Sequence, residues 1–288
     1  MVINYLPAGP SEFGDTCATF PQQAKAAFNY AAGIWASRFN SMVPVRIDAC
    51  WATGLPSGVL GRSGSYAIVR DFANAPRANT WYHIALANAI AGRDLDSSHS
   101  DMYIAYSSAY GSQFYYGIDG NPPSNQLDFT SVVLHEIVHG LGFSGSMQVT
   151  VGIGSWGFPT FPPRYPTSYD TFATDAQNRH LTATSVYPNP SASLGSALTS
   201  GGVYFTGSRA MTANGGQRVK LYAPSQWQQG SSFSHLDASY DNTPNALMTY
   251  SIAYGESVHN PGPITLGLLQ DEIGRASCRE RVSLVVLL

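Results

Sequence analysis

The stretch from Val132 to Gly142, VVLHEIVHGLG, constrains this chain more than any other part of it. Its apolar residues recur at helical spacing, and positions four apart on a helix share one face. His135 and His139 therefore project side by side. Two imidazoles so placed can hold one Zn²⁺, and Glu136 beside them can accept a proton from water. Asp128 is placed to cap this helix, and the glycines at 140 and 142 are placed to end it.

The 288 residues are 44% hydrophobic and 11% charged, which suits one large domain, or two sub-domains sharing a cleft. An aromatic content of 12% argues against disorder. The net charge of −3 excludes an electrostatic case for nucleic acid. No apolar run reaches the ~18 residues that a membrane span needs. Ser, Thr, Asn, Gly and Tyr supply most of the surface polarity, a balance that reads as secreted. Residues 1–7 have no basic start or apolar core like those of a signal peptide and read as mid-strand, so an upstream piece is expected.

Residues 272–282 spell EIGRASCRERV, dense in charge where the chain is otherwise poor in it. Back-translated, they read like run-through into a short-read sequencing adaptor. The native reading is expected to stop at Asp271, leaving 272–288 as a non-native tail that includes Cys278. Cys17 and Cys50 then fit one disulfide and an oxidising compartment, two buried thiols being the alternative.

Pro21 opens a helical stretch through Phe39, and residues 43–51 alternate as a strand. A second helix is predicted over 81–91, stopped by Gly92, and a second strand over 101–107. From 144 to 234 the chain is rich in Gly, Pro, Ser, Thr and Asn. It reads as loops with short strands at 202–205 and 219–222.

A catalytic zinc needs a third protein ligand and an open position. Here the chain resembles the metzincin metallopeptidases, whose pattern is HExxHxxGxxH followed later by a methionine turn. His135, Glu136, His139 and Gly142 match, while Gly145 stands where the last histidine would be. The leishmanolysin-like branch inserts many residues before its third histidine, and this chain resembles that branch and its bacterial secreted relatives. No glutamate occurs between Glu136 and Glu256, and Asp170 and Asp175 lack an aspartate-ligand context. His180 sits in a polar loop. His235 precedes Met248 by thirteen residues, and Ala246-Leu247-Met248-Thr249-Tyr250 resembles the methionine turn. His235 is the favoured third ligand, with His259 as the alternative.

The resemblance implies an α+β fold with a twisted sheet, two long helices over a cleft and an irregular C-terminal sub-domain. The expected division is 1–145 and 146–271. It also implies a secreted zinc endopeptidase acting on protein or peptide substrates, with Glu136 as general base. A non-catalytic zinc-stabilised binding or adhesion module is the rival, and retention of Glu136 argues against it. Tyr250 is a candidate to approach the zinc, and Asp237 a candidate to orient His235. The strand at 101–107 is a candidate to pair with an extended peptide. Asp94, Asp96 and Asp101 offer calcium ligands without an ordered loop pattern, and solvated turns explain them better. His83 and His99 carry no partner pattern.

Overall fold

A computed structural model describes residues 1–274. Its first part runs β1 (Val2–Tyr5), β2 (Gly9–Pro10), β3 (Thr16–Ala18), α1 (Gln22–Ala36), β4 (Arg46–Thr53), β5 (Gly61–Ser65), β6 (Ile68–Val69), β7 (Tyr82–His83), α2 (Ile84–Ala91), β8 (Met102–Ser107), β9 (Phe114–Tyr115), β10 (Leu127–Asp128) and α3 (Phe129–Leu141). The second runs β11 (Gln148–Thr150), β12 (Ile153–Ser155), β13 (Ala173–Thr174), α4 (Ala192–Leu198), β14 (Tyr204–Phe205), α5 (Ser208–Ala213), β15 (Val219–Lys220) and α6 (Pro263–Ile273).

The main sheet has six strands in the order β2-β3-β4-β8-β5, with β1 parallel to the first half of β4. Strands β4 and β8 run parallel, and β5 is antiparallel to β8. Alternation sorts their side chains by face. Ile47, Ala49, Trp51, Met102, Ile104 and Tyr106 join the main core, whereas Cys50, Ala52, Tyr103 and Ala105 form a smaller cluster. Helix α1 buries Ala24, Ala27, Phe28, Ala31 and Trp35. Trp35 Nε1 donates to the Leu134 carbonyl at 3.0 Å, tying α1 to α3 within that core.

The expected disulfide is present, joining Cys17 on β3 to Cys50 on β4. The expected cleft-edge strand is not where the pattern put it. Residues 102–107 lie inside the sheet between β4 and β8's other neighbour β5, so their backbone groups are already paired on both sides. The sheet edge next to β8 belongs to β5, whose sequence GRSGS shows no apolar alternation. Helix α2 begins at Ile84 rather than at 81, because Trp81 is held extended by its N–H bond to the Pro166 carbonyl and residues 82–83 pair with β6.

The second part is built from small antiparallel pairs, β11–β12 and β13–β14–β15, with the short helices α4 and α5 among the loops. Sequence patterning missed both helices, which are too short to establish a period. One buried cluster nevertheless runs through both parts, from Phe20 to Ile273. Helix α6 continues through Glu272 and Ile273, the first two residues of the expected tail, while residues 275–288, Cys278 among them, lie outside the described residues. No helix among the described residues is long and apolar enough to cross a membrane.

Candidate metal centre

Helix α3 starts where the Asp128 carboxylate accepts the Ser131 N–H at 2.8 Å, and it stops at Gly142. Gly142 has φ 144°, a conformation that favours glycine, and a Cβ there would lie 3.3 Å from Leu86 Cδ2. His135, Glu136 and His139 of this helix face a cleft of about 1000 Å³. His235 reaches the same cleft from the irregular part of the chain. Its segment is held by Tyr222 N–H donating to the His235 carbonyl and Leu236 N–H donating to the Met248 carbonyl, at 2.9 and 2.8 Å.

The Nε2 atoms of the three histidines converge. His135 lies 3.0 Å from both His139 and His235, and the remaining pair is 3.3 Å apart. Each Nδ1 is 2.7 Å from a backbone carbonyl: Leu247 for His135, Phe143 for His139, Ser231 for His235. A carbonyl only accepts, so each Nδ1 carries the ring proton and each Nε2 presents a lone pair. Burial pushes His135 down to about 4, His235 to about 3, and His139 well below its ordinary value. The rings are therefore neutral near pH 7, and three lone pairs meet with no hydrogen between them. A cation relieves that conflict. A tetrahedral Zn²⁺ with bonds of ~2.0–2.1 Å sets its ligands ~3.3 Å apart, so the donor set fits zinc in type and spacing. Among the described residues, no other His, Cys, Asp or Glu group offers such a cluster.

Glu136 is nearly buried, and burial pushes its carboxyl up to about 8. Its Oε2 has no protein partner. The edge strand lies directly against it. A Cβ at Gly61 would sit 3.0 Å from Glu136 Cγ and Oε1, so only glycine admits the carboxylate in this position without displacement.

Gly145 also has a steric reason. A Cβ there would collide with the Phe233 ring and would lie 2.6 Å from the Asp170 carboxylate. Glycine thus lets Phe233, two residues before His235, dock against the end of α3. The buried Asp170 carboxylate binds both the N–H and hydroxyl of Ser146 and the Thr167 N–H, anchoring the loop that leaves the helix. Asp170 is a tether, not a ligand.

The other candidates disperse. His180 is exposed. His259 Nε2 is 2.8 Å from the Asp128 carboxylate, at the start of α3 and outside the cluster of three. His83 Nε2 faces the Ser144 carbonyl at 3.1 Å, and His99 pairs with Asp96. Asp237 pairs with Lys220 and caps Ser239, so the Ser231 carbonyl, rather than Asp237, orients His235. Tyr250 is exposed on the cleft rim, stacked on Tyr222. Met248 is fully buried. Asp94, Asp96 and Asp101 are engaged separately, by Arg46, by Ser98 and His99, and by Arg46 N–H with Asn88. Sequence reading missed Gly61, the β5 edge and the three carbonyls. Backbone acceptors leave no residue-type signal.

A family model described as SPBPB7E8-like matches residues 94–154, a span that includes β8 and α3 with His135, Glu136 and His139, but stops short of His235. No curated protein and no solved structure matches the chain.

Proposed function

We propose that this chain is a secreted zinc-dependent endopeptidase of metzincin type, resembling leishmanolysin-like proteins. The observation that carries the reading is the convergence of three unprotonated Nε2 atoms beside the buried carboxyl group of Glu136, in a cleft bordered by a free strand edge. His135, His139 and His235 would hold the ion. When bound, zinc supplies Lewis acidity toward a carbonyl oxygen and makes water more acidic. Glu136 accepts a proton from the attacking water and passes it to the leaving amine nitrogen. The outer edge of β5 offers backbone N–H and C=O groups to an extended peptide, holding the scissile bond over Glu136. The Cys17–Cys50 disulfide favours an oxidising, extracellular setting.

Digestion of unfolded casein with and without a zinc chelator tests the reading, with metal content measured in parallel. About one zinc per chain and chelator-sensitive cleavage are expected. Glu136→Gln should keep its zinc and its stability within ~1 kcal/mol while hydrolysis falls by at least ~10²-fold. A wild type that binds zinc, cleaves nothing and is unaffected by Glu136→Gln would instead be a zinc-stabilised binding module.

A further inference from the structure

The cleft lining includes His139, Met147 and Trp227, and Trp227 also lines a second groove of about 360 Å³. Val149 and Val151 of the β11–β12 hairpin line it as well, together with Ser196, Thr199 and Ser225. The hairpin is built rigidly. Gly154 and Gly195 of α4 pack backbone to backbone, so that a Cβ on either would collide with the other's segment. Gly154 also exchanges two 2.9 Å backbone bonds with Ser191.

The tip of this hairpin breaks two rules at once. Val151 and Gly152 are its two-residue turn, with φ 48° and 75°. Such turns favour Asn, Asp or Gly at the first position, and a β-branched residue there is a backbone outlier. Val151 is also 95% exposed. The fold thus holds an apolar side chain in a disfavoured conformation in full solvent, on the lining of a groove that shares Trp227 with the cleft. Outliers of this kind concentrate at functional sites.

We infer that Val151, Val149 and Trp227 form a remote subsite that takes an apolar side chain of a peptide whose scissile region lies in the cleft. The subsite deepens the peptidase reading and rests on it. Its occupant is the continuing substrate chain, because Trp227 borders both spaces.

Val151→Asn is the decisive variant, since asparagine suits the turn and removes the apolar contact without endangering the fold. A casein cleavage site is mapped, and peptides of about eight and about twenty residues around it are compared. For the longer peptide, Val151→Asn should lower kcat/KM about tenfold, through KM, as expected for one lost valine contact. The shorter peptide should change less than twofold. Serine in place of the longer peptide's distal apolar residues should weaken cleavage by wild type and not by Val151→Asn. Equal effects on both lengths would overturn the subsite. So would a wild-type dimer that Val151→Asn dissociates while peptide kinetics stay unchanged. Should wild type cleave nothing, the peptidase reading fails by itself. Fluorescence anisotropy of labelled twenty-residue casein peptides then decides the groove separately: weaker binding to Val151→Asn supports it, and equal binding refutes it.

Discussion

Two parts of the molecule build one centre by opposite means. Residues before Gly145 supply His135, Glu136 and His139 from a single helix, whose spacing alone sets two ligands on one face. Residues after it supply His235 from a segment without regular structure, held by individual contacts. Tyr169 Oη donates to the Phe233 carbonyl at 3.0 Å, Ser234 Oγ accepts the Gly145 N–H at 3.2 Å, and the Asp170 carboxylate fixes Ser146. A helix distributes its precision over many equivalent hydrogen bonds. The irregular part concentrates its precision in a few buried polar groups, and single changes there should be correspondingly costly.

The largest expected effect separates the remote ligand from its rivals. His235→Ala should weaken zinc binding by more than the ~10–100-fold that removing an outer-shell partner costs, whereas His180→Ala and His259→Ala should bind nearly as wild type. Zinc dissociation constants for the three variants decide it, and a harmless His235→Ala would dissolve the comparison.

Next in size is the tether. Asp170→Ala leaves the Ser146 and Thr167 N–H groups without their buried acceptor and should cost about 3 kcal/mol in denaturant unfolding. A loss below ~1 kcal/mol would mean that the irregular part does not depend on concentrated contacts.

On the regular side, Gly61→Ala pushes a methyl against Glu136 from an otherwise ordinary strand position. Hydrolysis should drop roughly tenfold, a fraction of what general-base catalysis contributes, with zinc content and melting temperature nearly unchanged. Loss of zinc together with activity would place the damage in the ligands instead.

The smallest effect lies where the two parts meet. His83 on β7 is bonded to Ser144, and burial lowers its pKa below the ordinary value. The unfolded chain then takes up the proton first, so stability is lost as pH falls below the unfolded value of ~6.5 toward the folded one. Wild type should lose stability more steeply than His83→Gln between pH 7.5 and 5.5 in thermal melts. Parallel curves would show that His83 does not titrate differently on folding.

The helices with a long apolar period, α1 and α3, were legible because each buries one continuous stripe. Gly92 and Gly142 marked two helix ends for the same local reason, as both adopt positive φ. Strand β5 was not legible: Gly61, Ser63 and Ser65 carry no hydrophobic alternation, and its place is set by pairing with β8. Helices α4 and α5 were hidden in a Gly- and Ser-rich stretch that gives too few turns for periodicity to register.

By itself the sequence determined the chemistry on offer: two histidines and a glutamate on one helix, and two cysteines able to pair. Those features follow from residue identity and from spacing along one element. Only the tertiary structure decided that His235 and not His259 completes the cluster, that β5 and not β8 is the free edge, and that three backbone carbonyls hold the imidazole tautomers. The first choice depends on segments a hundred residues apart meeting at hydrogen-bonding distance, the second on which strand pairs with β8, and the third on backbone carbonyls, which every residue has and no residue type marks.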